Sequence, residues 1–174
     1  MEFWNGVATY YRGIVKALYN MVDHITFYKL DIYERQSHRD IEDPDYCEVI
    51  VYEKDKVNLR ALLRKAQEES DIIIKTSGVG SFDAFLEEEI PTLKKKDNTV
   101  IFWDGDASEA IERIEENPVD AFRNHVAKYD CILTYGGGEP VQHLTDKSSF
   151  LKVLNHHTHR HRAKLLDKIL RNFR

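Results

Sequence analysis

Asp104, Gly105 and Asp106 close an apolar run from Thr99 to Trp103 and are the residues best suited to chemistry. Two carboxylates one residue apart can chelate Mg²⁺ or Mn²⁺ on a nucleotide diphosphate. An aspartate in the first position can instead attack phosphorus while the second acts as acid and base. That phosphohydrolase reading needs a later acidic pair for its metal, and no apolar run after Asp106 ends in one. Asp106 also suits the N-cap of a helix beginning at Ala107. Asp104, at the end of the run, is the stronger catalytic candidate. His38 is the second, because an imidazole titrates near neutral pH and can carry protons. It lies in Arg35-Gln36-Ser37-His38-Arg39-Asp40, a polar stretch that could equally be a solvated loop.

Glycine punctuates the other candidate segments: Asn5-Gly6, Ser77-Gly78-Val79-Gly80 and Gly136-Gly137-Gly138. A glycine lets backbone N–H groups approach a ligand, and a following helix N-terminus favours an anion. Each segment alone reads as a tight turn. Together they suggest a cleft for a phosphate-bearing or sugar ligand, lined by Asn5, Gly6, Arg35, Ser77, Gly78, Gly80, Asp106, Gly136, Gly137 and Gly138. No intact G-x-G-x-x-G is present, so no dinucleotide cofactor is expected. The tract His156, His157, His159, His161 lacks a helical pair with a third ligand, so only adventitious metal affinity is expected, and no metal site.

These segments need elements to position them. Val7, Tyr10, Tyr11, Ile14, Leu18, Met21 and Val22 fall at one-face helical spacing. Runs at 25–28, 47–52, 71–76, 99–103 and 131–135 are β-branched, aromatic and short, and read as strands. Between them lie helical patterns at 59–66, from Ser81 as N-cap with Pro91 shortening the helix, from Ala107, and after Pro118. Alternation of nearly continuous apolar strands with amphipathic helices predicts a Rossmann-like, doubly wound α/β domain with a mainly parallel sheet. Ligands bind such sheets beyond the carboxyl ends of the strands, where the candidate segments fall. A unit of this kind begins with a strand, whereas this chain opens on a turn and a helix. The first strand is therefore expected upstream.

The chain has 174 residues, 42% apolar and 32% charged, a globular balance. No apolar run approaches the roughly 20 residues of a membrane span, and no signal-peptide pattern opens the chain. Cys47 and Cys131 stand singly, without a disulfide framework, so a cytoplasmic setting is expected. Residues 1–146 hold 17 basic and 29 acidic side chains, which disfavours nucleic acid as a partner. Residues 147–174 hold 8 basic and 1 acidic. The expected division is a Rossmann-like domain at 1–146 and a basic, His-rich tail at 147–174. In the tail, Arg162, Leu165, Leu166, Ile169, Leu170 and Phe173 predict an amphipathic helix. Its stripe is expected to dock on the acidic body, where opposite charge helps but burial of Leu166, Ile169 and Phe173 supplies most of the energy, with contact to an anionic membrane surface or a disordered remnant as the alternatives.

Five segments in order carry a resemblance: Trp4 to Gly13, Tyr33 to Ile41, Lys75 to Gly80, Phe102 to Ala107 and Tyr129 to Gly138. Over about residues 3–141 the chain resembles the CgeB-type, spore-maturation glycosyltransferase-like proteins. The resemblance implies a GT-B architecture, in which two Rossmann-like domains face each other and the N-terminal one takes the acceptor. It implies a nucleotide-sugar co-substrate, a sugar or glycan acceptor, a second Rossmann-like domain as partner and no bound metal. The family pattern fades after about Gln142, so the expectation is the acceptor-side half of a sugar transferase, inactive alone, with His38 and Asp104 as candidate bases. A non-enzymatic interaction module and an aspartate-dependent phosphohydrolase are the alternatives.

Overall fold

The structure, a computed structural model, describes residues 6–21, 24–32, 37, 42–78, 82–105, 113, 116–134, 151–153 and 159–172, with backbone alone for 6–8, 151–153 and 159. The chain divides into two compact units, Met1–Ala61 with His156–Arg174, and Leu62–Asn155. The division expected from charge fell at 146/147.

In the first unit, α1 (Gly6–Tyr19) precedes two parallel strands, β1 (Thr26–Leu30) and β2 (Glu48–Tyr52). Their register runs from Thr26 opposite Glu48 to Leu30 opposite Tyr52. The tail forms α5 (His159–Arg171), which packs on α1. Tyr10, Tyr11, Ile14, Val15 and Leu18 are buried on α1, and Ala163, Leu166, Ile169 and Leu170 on α5. These positions repeat every three or four residues, so each helix presents one apolar stripe. The Arg162 guanidinium carbon lies 5.3 Å from the centroid of the Tyr10 ring. Leu165, expected in the stripe, is only half-buried, and Phe173 lies outside the described residues.

The tail packs on the body through apolar burial as expected, but the charge attraction expected beside it is not met. Its seat is α1, whose charged residues are Arg12 and Lys16, with no acid. Two basic helices repel, so apolar burial must hold them together. Full burial of a side chain such as Leu166 contributes roughly 1.5–3 kcal/mol.

In the second unit, four strands stand in sequential order and all parallel: β3 (Ile72–Thr76), β4 (Thr99–Asp104), β5 (Cys131–Thr134) and β6 (Leu151–Val153). A helix α2 (Lys56–Glu69) leads into β3. Between β3 and β4 lies α3 (Asp83–Glu89), followed by a 3₁₀ turn over Ile90–Leu93, where Pro91 ends the α-helix. Between β4 and β5 lies α4 (Phe122–Val126). Right-handed crossovers between sequential parallel strands put the connecting helices on one face, and α3 does contact α4.

The core forms under those helices from Ile73, Ile90, Leu93, Val100, Phe102, Phe122 and Tyr129. Phe102 meets Phe122 and Tyr129 at centroid distances of 4.7 and 5.5 Å. All six residues of β4 are buried, as expected for a strand with neighbours on both edges.

The fold is therefore α/β with parallel sheets, but the strands form two sheets rather than one. Among the described residues no strand hydrogen-bonds to both. The edge strand β6 was not foreseen. The expected cap Ser81 lies outside the described residues, and Phe82 precedes α3 without a side-chain cap bond. No helix of the described residues is long and apolar enough to cross a membrane.

Removing apolar contact should loosen the α1–α5 pair more than screening charge. Leu166→Ala is expected to lower stability by about 2–5 kcal/mol in urea denaturation. Raising NaCl to about 1 M, where the Debye length is about 3 Å, is expected to leave the melting temperature of the α1–α5 pair unchanged or higher.

Candidate functional site

The register of the second sheet decides which side chains meet at its carboxyl edge. Lys75, Phe102 and Ile132 stand opposite one another on β3, β4 and β5, on the helix-covered face. Two residues on, side chains return to the same face. The next rung is therefore Ser77, Asp104 and Thr134. Asp104 and Thr134 are direct register partners. Ser77 extends the ladder, since its N–H donates to the Trp103 carbonyl at 2.7 Å. The Gly105 N–H donates to Ser77 Oγ at 2.7 Å, which ties the loop after β3 to the end of β4.

Burial deepens along this rung. Gly78 is exposed and Ser77 half-buried, whereas Asp104 and Thr134 are 4% and 2% exposed. Thr134 Oγ1 is buried without a hydrogen-bond partner among the described residues. Such a group costs about 1–3 kcal/mol. A Cβ placed on Gly78 would lie 3.9 Å from Asp83 Oδ1, an ordinary contact, so protein packing does not demand glycine there.

Beneath the rung lies a buried ion pair. The Lys75 side chain is 5% exposed, and its Nζ donates to Asp83 Oδ1 at 2.5 Å and to the Thr76 carbonyl at 2.6 Å. It also sits 5.7 Å from the centroid of the Phe102 ring. Burial pushes the Asp83 carboxyl above its usual range, and the Lys75 charge pulls it back. Asp83 opens α3, where a negative charge also meets the positive end of the helix dipole.

A second cluster braces α3 one turn beyond Asp83, on the same helix face. Arg113 binds Glu87 through Nη1 and Nη2 at 3.0 and 2.8 Å, and Asp120 through Nε and Nη2 at 2.8 and 2.9 Å. Asp120 Oδ1 also accepts the Phe122 N–H at 2.8 Å, capping α4. The guanidinium carbon lies 5.1 Å from the Phe122 ring centroid. Hydrogen bonds from Arg113 hold the Asp120 carboxyl below its usual range and, with Glu87, push the guanidinium further up. Burial, reinforced by Glu87 and Asp83, pushes the Tyr129 phenol up. These groups are structural: they are paired with one another and hold α3 and α4 against the sheet.

Of the sequence candidates, Ser77, Gly78 and Asp104 come together at one edge. Gly6 starts α1 in the first unit. Asn5, Arg35, His38, Gly80, Asp106, Gly136, Gly137 and Gly138 lie outside the described residues. Lys75 and Thr134 were not singled out in the sequence. The available signals were a lysine interrupting an apolar strand and a threonine closing one.

The class these features define is a parallel α/β unit with a polar carboxyl edge. Compared with known protein families, with characterised proteins and with solved structures, the chain finds no match.

Two outcomes follow from the ion pairs. Lys75→Met leaves Asp83 with an unpaired, half-buried charge and is expected to cost about 3–5 kcal/mol, while the double variant Lys75→Met/Asp83→Leu recovers most of it. Chemical denaturation of the three proteins checks this. Asp120 has a lowered folded pKa, so its contribution is complete above the unfolded value of about 3.9. The contribution is lost as pH falls through the folded value. Asp120→Asn is therefore expected to flatten the acid limb of the stability–pH curve.

Proposed function

We propose that the second unit carries the acceptor side of a sugar transferase of the GT-B type, with the Ser77–Asp104 edge as the acceptor site. One observation carries the reading: Asp104, the carboxylate picked out as a base, is buried at the carboxyl end of the central strand, beside Ser77 and the Gly105 N–H. The resemblance of Lys75 to Gly80 and Phe102 to Ala107 to the CgeB-type proteins supports it, since Ser77 and Gly78 of the first segment and Asp104 and Gly105 of the second meet at this edge. In this reading Asp104 accepts the proton of an acceptor hydroxyl. The freed oxygen forms a bond to the anomeric carbon as the bond from that carbon to the nucleoside diphosphate breaks. The nucleotide-sugar is a co-substrate held by a second Rossmann-like domain.

Saturation-transfer NMR tests the acceptor assignment. Methyl glycosides of glucose, galactose and mannose are expected to bind the native chain. Asp104→Asn is expected to weaken binding about tenfold, the scale of one charge-assisted hydrogen bond. UDP-glucose is expected not to displace them. Failure of every glycoside to bind, or unchanged binding by Asp104→Asn, removes the proposal.

A further inference from the structure

The rung at the carboxyl edge offers a specific pattern of hydrogen-bonding groups. Ser77 Oγ already accepts the Gly105 N–H, so its own O–H remains to donate. Asp104 as a carboxylate only accepts. Thr134 has a donor and acceptor in a hydroxyl that meets no partner among the described residues, although the residue is 2% exposed. Along one line across three strands, about 4.8 Å apart, the order is hydroxyl, carboxylate, hydroxyl.

We infer that Ser77, Asp104 and Thr134 form a subsite for a neutral polyol, with Thr134 fixing which sugar hydroxyl pairs with Asp104. The inference rests on the reading of this edge as an acceptor site and names the ligand chemistry of that site. A sugar hydroxyl both donates and accepts. Neighbouring hydroxyls can therefore donate to the Asp104 carboxylate while accepting from Ser77 or Thr134. A phosphate near neutral pH is mostly an acceptor, with one or two P–OH donors, and it would face the Asp104 carboxylate with like charge. The carboxylate at the middle of the rung thus selects against the anionic ligand that the glycine segments by themselves suggest. Exposure falls along the rung, from the exposed Gly78 and half-buried Ser77 to the buried Thr134.

An unsatisfied buried hydroxyl lowers the stability of the free protein, so its retention fits a group that bonds only when ligand is present. Thr134→Val keeps the shape and removes the hydroxyl, and it should separate stability from binding. It is expected to raise the melting temperature and to weaken binding of the methyl glycosides at least tenfold. Thr134→Ser restores the hydroxyl and is expected to bind within about threefold of the native chain, one hydrogen bond being retained. In ¹H–¹⁵N spectra the glycosides are expected to shift the amides of Ser77, Gly105 and Thr134, and inorganic phosphate to leave them in place. Native binding that survives Thr134→Val overturns the subsite and leaves the acceptor reading standing. Phosphate shifting the same amides as strongly as sugar overturns the polyol assignment. Absence of glycoside binding by the native chain overturns both.

Discussion

The second unit is organised around the burial of one ammonium group. Lys75 enters a sheet face otherwise filled by Ile73, Val100 and Phe102. A charge there is tolerable only with close partners. Asp83 supplies the countercharge and the Thr76 carbonyl a second acceptor. Because Asp83 is the first residue of α3, satisfying Lys75 fixes where α3 begins above the sheet. Two residues beyond Lys75, Ser77 lies within reach of the Gly105 N–H. The polar rung thus sits directly above an ion pair that pins both ends of the loop beside it.

The Arg113 cluster does for the second turn of α3 what Lys75 does for its start. One guanidinium makes bidentate contact with Glu87 on α3 and with Asp120 ahead of α4. Bidentate geometry fixes orientation as well as distance. With Phe102, Phe122 and Tyr129 packed below, the helix layer has little freedom to shift over the sheet. Rigid support of this kind is what a small polar site needs, since hydrogen-bonding groups must hold position without a ligand. Against that background, the Thr134 hydroxyl, without a hydrogen-bond partner among the described residues, is a cost that packing alone does not explain.

Charge patterning proved a poor guide to the tail. The contrast between an acidic body and a basic end suggested a weak electrostatic pull in addition to apolar burial, yet α5 lies on a helix carrying only positive charge. Net charge sums over surfaces that never meet, and it is screened within several ångströms. The apolar stripe was the better signal: of its expected members Leu166, Ile169 and Leu170 are buried, joined by Ala163.

The sequence by itself determined the strands β1 to β5, helices α1 to α4 and the helical tail. Their apolar periods and their Pro and Gly breaks are local properties. It also identified Ser77 and Asp104, because a polar residue closing an apolar strand must lie at the sheet's edge. Leu151–Val153 escaped notice, since three residues in a basic stretch carry too little periodicity, and only pairing with β5 makes them a strand. The division into two sheets escaped as well, because which strands share hydrogen bonds is not written in either strand alone. The partnership of Lys75 with Asp83 and the alignment of Ser77, Asp104 and Thr134 were decided by register. A shift of one residue would turn each side chain to the opposite face. That register is set by packing across β3, β4 and β5 together, a property of the assembled sheet.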